Sequence, residues 1–173
     1  NPNTLRTIVN VGDLSVCVVN GSGSVVENAR VVFQNDTQKR VVYTDSNGIA
    51  TSDISFKYVS VFKHNHVPDI VRVIVGEETL SSNPGQVMAL NNQVLVPTNS
   101  TLVLDGNFEL DYKGQIIVEG LIRILDNSVI TGKRLANNQS NGSKIVVNGA
   151  LTCGTNVTFS SPTGMQWHGV ILN

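Results

Sequence analysis

Short apolar runs separated by polar turn segments fill the chain from its start to Val75. Apart from a first strand near Val9, these runs are 14-LSVCVV-19, 29-ARVVF-33, 40-RVVYT-44, 49-IATSDISF-56, 58-YVSVFK-63 and 70-IVRVIV-75. The segments between them, such as "NGSGS", "QNDTQK" and "DSNG", are rich in residues that favour tight turns. About seven short strands at this spacing predict an all-β domain, an immunoglobulin-like β-sandwich over residues 1–76.

The regular pattern stops between Gly76 and Asn92. This stretch, "GEETLSSNPGQVMALNN", contains Asn83-Pro84-Gly85, a combination that breaks strands and helices. We therefore expect residues 77–92 to be a linker and residues 93–173 to form a second domain.

The second half of the chain contains an internal repeat. The stretch 116-IIVEGLIRILDNSVIT-131 aligns without a gap with 145-IVVNGALTCGTNVTFS-160. This constant offset matches Ile116, Val118, Gly120, Asn127 and Ile130 with Ile145, Val147, Gly149, Asn156 and Phe159. One unit is too small to bury its own apolar face, so stacked copies predict a β-solenoid. Residues 94–110 supply a partial unit, and 166–173 begin another, so we expect the natural chain to continue past Asn173.

Composition and charge narrow the classes of partner. Charged residues make up 14% of the chain, the net charge is −1, and no basic run is longer than Lys39-Arg40 or Lys133-Arg134. Binding to nucleic acid needs a strong basic footprint, so we expect no such partner. No apolar run reaches the roughly 18 to 20 residues that span a bilayer, so we expect no membrane insertion.

Two cysteines and six glycosylation-type triplets leave the cellular context open. Cys17 and Cys153 lie in separate patterns, and two buried free thiols are the simpler interpretation. Asn-X-Ser/Thr triplets suit glycosylation in a eukaryotic secretory path and are ordinary turn composition in a bacterial chain. They begin at Asn20, Asn35, Asn99, Asn138, Asn141 and Asn156.

The stretch "KHNHVPDI", residues 63–70, offers candidate metal ligands. In a strand, His64 and His66 would point to one face, with Asp69 as a third ligand. A closed zinc site needs four ligands, and an HNH nuclease needs basic surroundings that this stretch lacks. The segment beginning at Asp45 resembles a calcium loop but has Phe56 at the twelfth position, where a glutamate is required. We expect no metal and no cofactor.

Candidate catalytic and ligand-binding residues lie in the second half. Clustered carboxylates on one solenoid face would suggest polysaccharide cleavage, and five acids are available there, although they are scattered along the sequence. Cys153 has its nearest histidine at His168, and Trp167 can stack on a sugar. We therefore name Trp167 and His168 as candidate ligand-binding residues and no catalytic ones. The five acids are Asp105, Glu109, Asp111, Glu119 and Asp126.

The order "VGDLSVCVVNGSGSVVENARVVF", "TDSNGIATSDI" and "VSVFKHNHVPDIVRVIV" resembles a known module. It is similar to the immunoglobulin-like domain that follows the catalytic domain in gingipain-type cysteine peptidases of Bacteroidetes. In that family a strand closes on histidine-asparagine-aromatic-isoleucine-proline. Here residues 64–68 fill this pattern, with His66 at the aromatic position. The family's catalytic cysteine and histidine lie in the preceding domain, so the resemblance implies no peptidase activity for this chain.

Residues 93–173 separately resemble right-handed parallel β-helix segments of Bacteroidetes surface proteins. The resemblance implies export by the type IX route and a secreted or cell-surface location. Together the two halves predict a non-catalytic accessory region, C-terminal to a gingipain-like cysteine peptidase domain, that spaces, stabilises or docks its neighbours. The alternative is a carbohydrate- or surface-binding module that uses the β-helix face and Trp167.

Overall fold

The computed structural model describes residues 2–111, 114–133, 143–161 and 169–173. The described residues form an all-β chain of 19 strands without a helix. The chain divides into two compact units, unit 1 (Asn1–Val73) and unit 2 (Ile74–Asn173). No helix in the described part is long and apolar enough to cross a membrane.

Unit 1 contains seven strands, all paired antiparallel, in two sheets. The first sheet has the order β1-β2-β5, and the second contains β4-β3-β6-β7. Polar turns set the pairing: Asp45 Oδ1 accepts hydrogen bonds from the amides of Asn47 and Ile49, and Gly48 has a φ of 75°. The strands are β1 (Arg6–Asn10), β2 (Ser15–Val19), β3 (Arg30–Gln34), β4 (Lys39–Tyr43), β5 (Ile49–Thr51), β6 (Tyr58–Phe62) and β7 (Asp69–Val73).

The core of unit 1 comes from alternate strand positions. Side chains of Val31 and Phe33 are fully buried, while Arg30 and Gln34 on the same strand are exposed. The ring of Phe33 also meets Phe56, with 4.9 Å between the ring centroids. Phe56 lies beyond the short β5, so the predicted strand 49–56 is a three-residue strand followed by a core-facing loop.

Unit 2 is a β-solenoid of about four turns with three parallel sheets. The sheets contain β10-β13-β16-β19, β8-β11-β14-β17 and β9-β12-β15-β18. The strands are β8 (Glu77–Ser81), β9 (Met88–Leu90), β10 (Gln93–Val96), β11 (Thr101–Asp105), β12 (Asn107–Leu110), β13 (Gln115–Val118), β14 (Leu121–Ile124), β15 (Val129–Gly132), β16 (Lys144–Val147), β17 (Ala150–Cys153), β18 (Thr158–Ser160) and β19 (Val170–Leu172).

Residues 77–92 are part of the solenoid, so the predicted linker is wrong. β8 pairs in parallel with β11, placing Leu80 beside Leu104, and β9 pairs with β12, placing Leu90 beside Leu110. Both leucines of this first turn belong to the solenoid core. The pattern was hidden because the polar stretch that contains "NPG" separates Leu80 from Met88 and Leu90. Unit 1 also ends earlier than predicted, at Val73.

The internal repeat predicts the register of the third and fourth turns correctly. Ile116 pairs with Ile145, Val118 with Val147 and Ile130 with Phe159, each as the constant offset of the repeat predicts. The repeated glycine has a steric reason. A Cβ on Gly149 would lie 2.1 Å from the carbonyl oxygen of Gly120, so only glycine lets these corners stack.

Candidate functional site

The stretch "KHNHVPDI" forms the turn between β6 and β7 and the first two residues of β7. The amide of His66 donates to the carbonyl of Lys63 at 3.1 Å, and Asn65 has a φ of 58°. His66 Nδ1 lies 2.7 Å from the His64 carbonyl oxygen and donates to it, because a carbonyl only accepts. The two histidines are therefore in a turn rather than on one face of a strand. Among the described residues, no group of three or more histidine, cysteine or acidic side chains is placed to hold a metal.

The end of the same stretch holds the N-terminal segment. Asp69 Oδ2 accepts a hydrogen bond from the amide of Thr7 at 2.9 Å. The amide of Val67 donates to the carbonyl of Asn3 at 2.8 Å, and the amide of Leu5 donates to the carbonyl of Val67 at 3.2 Å. The stretch therefore contributes turn closure and chain anchoring.

Three of the five candidate carboxylates contact the neighbouring solenoid turn. Glu119 accepts from the Asn148 side chain at 2.8 Å, and Asp126 accepts from the amide of Thr155 at 2.7 Å. Glu109 forms an ion pair with Lys133 at 2.7 Å. The hydrogen bond with Glu109 raises the pKa of Lys133 above its ordinary value, with the charges of Glu109 and Asp111 adding to it and desolvation opposing it. These carboxylates bridge turns and do not converge on a common point.

An open depression in unit 2 collects several of the remaining polar groups. It is lined in part by Asp105, Arg123, Asp126, Thr152 and Cys153. Partial desolvation of its sulfur raises the pKa of the Cys153 thiol, although the residue as a whole is exposed, and a raised pKa disfavours the nucleophilic thiolate. The depression therefore lacks an activated nucleophile at Cys153.

Both cysteines are free, as predicted, but their predicted burial is wrong. Cys17 is half-buried, and Cys153 is exposed. Cys153 lies on β17, the last strand in its sheet, so in the described part of the chain no further turn covers it. The candidate ligand-binding residues Trp167 and His168 lie outside the described residues, between β18 and β19.

Unit 1 has an exposed surface that the sequence analysis did not identify. The outward residues of β3, β4, β6 and β7 form three rows across the sheet, because paired residues on neighbouring strands point to the same side. We call this surface the aromatic–arginine face. Its rows are Tyr43–Arg30–Phe62, Val41–Val32–Ser60–Ile70 and Lys39–Gln34–Tyr58–Arg72.

Five large side chains of the aromatic–arginine face are exposed to solvent. Exposed fractions are 59% for Tyr43, 45% for Val41, 40% for Phe62, 39% for Tyr58 and 38% for Ile70. The Arg72 guanidinium lies 5.9 Å from the centroid of the Tyr58 ring, within cation–π range. The signal in the sequence was an aromatic or basic residue at both ends of two alternating sets, Lys39, Val41 and Tyr43 on one strand and Tyr58, Ser60 and Phe62 on the other.

No protein-family model matches the chain, and neither the curated proteins nor the solved structures contain a match. The functional argument therefore rests on the residues and their geometry.

Proposed function

We propose that this chain is a non-catalytic accessory region of a secreted or cell-surface bacterial protein. Its first unit is an immunoglobulin-like sandwich and its second a short right-handed β-helix. The region spaces, stabilises or docks an adjacent domain, in the position that follows a gingipain-like cysteine peptidase domain. The observation that carries this proposal is the use of polar side chains in unit 2 to join one solenoid turn to the next.

These inter-turn contacts form ladders along the stack. The side-chain amide of Asn148 donates to the Glu119 carboxylate. The side-chain amide of Asn173 donates in turn to the side-chain oxygen of Asn148 at 2.6 Å. A separate ladder joins Asn156 to Asn127 at 3.0 Å. An enzyme site needs such groups to converge where a reacting atom can sit. In unit 2 these asparagine and glutamate side chains instead join one solenoid turn to the next. They stiffen the solenoid, which suits a spacer or support.

The strand order of unit 1 supports the immunoglobulin-like part of the proposal. Seven antiparallel strands divide into β1-β2-β5 and β4-β3-β6-β7: β1 and β2 lie in one sheet, β3 and β4 in the other, β5 returns to the first, and β6 and β7 complete the second. Such passage between two sheets is expected of an immunoglobulin-like sandwich. The contacts of Val67 and Asp69 with the first residues fix the start of the chain. A domain that precedes this segment would therefore be joined to residues that are held in a defined position.

Rigidity of unit 2 is the direct test of the spacer function. Thr79 and Thr152 occupy equivalent positions on β8 and β17, three strand spacings or about 14 Å apart. Spin labels at Thr79→Cys and Thr152→Cys, in a background with Cys17→Ser and Cys153→Ser, should give one narrow distance distribution. A broad distribution in the folded protein would contradict a rigid support.

Turnover assays test the non-catalytic part. The purified chain should hydrolyse neither casein nor a panel of neutral and acidic polysaccharides. Hydrolysis that is lost in Glu119→Gln or in Asp126→Asn, with folding unchanged, would replace the accessory role with an enzymatic one.

A further inference from the structure

The aromatic–arginine face carries both aromatic rings and cations in its first and third rows. In its first row, Arg30 is paired with Tyr43 on one neighbouring strand and with Phe62 on the other. Neighbouring strands are about 4.8 Å apart, so the backbones of Tyr43 and Phe62 lie about 10 Å from each other. In the third row, Tyr58 is followed by Arg72 on the adjacent strand. Exposed rings therefore occur at a spacing that an extended polymer can meet repeatedly.

The charge of this face differs from that of the chain. The face carries three cations, Arg30, Lys39 and Arg72, and no carboxylate, whereas the whole chain has a net charge of −1. The only acid on these four strands, Asp69, is opposite buried Val61 and bonds to Thr7. The side chains of Arg30 and Lys39 form no ion pair with the described part of the chain. The face is thus complementary to a negatively charged ligand.

The size of the face favours a narrow ligand over a globular protein. Four strands and five residues per strand give a surface of about 14 Å by about 14 Å, or about 200 Å² in projection. A stable protein–protein interface buries about 800 Å² of accessible surface on each partner, which would require residues beyond these three rows. A linear chain that crosses the strands along the rows makes full use of the smaller area.

We propose that the aromatic–arginine face binds an extended anionic polysaccharide. Tyr43 and Phe62 stack on the apolar faces of sugar rings, and Arg30 pairs with a carboxylate or sulfate between them through two parallel hydrogen bonds. The exposed Val41 and Ile70 of the middle row contact C–H groups, and Ser60 and Gln34 bond to hydroxyls. This function is independent of the spacer role of unit 2.

Single-stranded nucleic acid shares the stacking and the negative charge. It binds best to a continuous basic groove that follows its backbone. Here the cations are separated by an aliphatic row of Val41, Val32 and Ile70. The polysaccharide is therefore the ligand that this array fits better.

Calorimetric titration of the whole chain with polygalacturonate oligomers tests the proposal. The same oligomers with methyl-esterified carboxylates are the matched neutral ligand. We expect saturable binding to the acid form at low ionic strength and at least about tenfold weaker binding to the ester, because charge-assisted hydrogen bonds are lost. Binding should also weaken about tenfold in Arg30→Gln and in Tyr43→Ser, two exposed positions where folding can be verified by circular dichroism.

Three controls fix the location and class of the ligand. Arg6→Gln removes an exposed arginine from the other sheet of unit 1 and should leave affinity within twofold. Trp167→Ala should likewise leave it unchanged. An oligothymidylate of similar length should bind at least tenfold more weakly than polygalacturonate. Equal binding of the ester, equal or tighter binding of the nucleic acid, loss only in Trp167→Ala, or no binding at all would overturn the proposal.

Discussion

The two units form their sheets by different rules. In unit 1, strands pair antiparallel, and turns of different sequence set each register: Val32 lies beside Val41 in one pair and beside Ser60 in another. In unit 2, every strand pairs in parallel with its equivalent in the next turn, so Ile122 meets Leu102 on one side and Leu151 on the other. The strand register of unit 1 depends on individual turns between strands. The register of unit 2 depends on residues that can stack on one another at the same position of each solenoid turn.

The outer surfaces differ in the same way. In unit 2, outward and corner polar groups bond to the adjacent turn, as Asn156 does with Asn127. In unit 1, the outward aromatic and basic side chains of one sheet remain open to solvent. The solenoid therefore uses its polar chemistry for stacking, and the antiparallel sheet retains its chemistry for a ligand.

The largest expected effect on stability comes from substitutions that test whether the two cores are independent. Phe33 in unit 1 and Phe108 in unit 2 are both fully buried. Alanine at either position should cost about 3–5 kcal/mol of unfolding free energy. Hydrogen exchange followed by mass spectrometry should show the larger loss of protection in the unit that carries the substitution. Equal loss in both units for both variants would mean that the two cores do not act separately.

The next effect tests the dependence of unit 2 on repeated glycine. In Gly149→Ala the new Cβ would meet the backbone oxygens of Gly120 at 2.1 Å and Glu119 at 2.4 Å, which side-chain movement cannot relieve. We expect a loss of about 1–3 kcal/mol, measured by chemical denaturation. Gly12→Ala is the control, because its Cβ would have only an ordinary contact at 3.6 Å. Similar stability of the two variants would contradict the close stacking of the corners.

A smaller effect concerns the asparagine ladder. Asn156 has a φ of 58° and donates to Asn127 at 3.0 Å. Asn156→Ala should cost about 1–2 kcal/mol, because it removes the hydrogen bond and places alanine in the left-handed region. Asn156→Gly removes the same bond without the backbone penalty and should cost less. If thermal denaturation shows that the two variants are equal, the ladder and not the backbone conformation dominates.

The smallest expected effect is a stabilisation in unit 1. The Thr7 hydroxyl is buried and has no hydrogen-bond partner in the described part of the chain. Thr7→Val keeps the shape, retains the amide bond to Asp69, and should raise the unfolding free energy by about 1 kcal/mol. Thr7→Ser retains the hydroxyl, loses a methyl group and should destabilise unit 1. A destabilised valine variant would indicate that the hydroxyl has a role in this core.

Sequence patterns predicted strand pairing best where the same arrangement of residues occurs twice. The constant offset of the repeat predicted the correct pairs across β13–β18, because parallel stacking puts repeated residues side by side. The offset is shorter one turn earlier, where Gln93 pairs with Gln115, because fewer residues separate β12 from β13 than β15 from β16. Variable connections therefore hid the first turn and produced the incorrect linker.

The roles of candidate functional residues were harder to predict from the sequence than the strands were. A strand through His64 and His66 would have put both side chains on one face, but Asn65 has a positive φ and the segment forms a turn. The carboxylates Glu109, Glu119 and Asp126 looked scattered in sequence, and the solenoid places each beside a partner from the next turn. Trp167 and His168 stay predictions for ligand binding.

The sequence by itself determined the all-β class, the strands of unit 1 and the stacking of the repeated turns, because these depend on local alternation and on periodicity. Only the tertiary structure decided that Tyr43, Arg30 and Phe62 form one row and that residues 77–90 complete a solenoid turn. Those outcomes depend on which strands become neighbours. The hydrophobic pattern shows which side chains are buried, but the register between distant strands decides which exposed side chains meet.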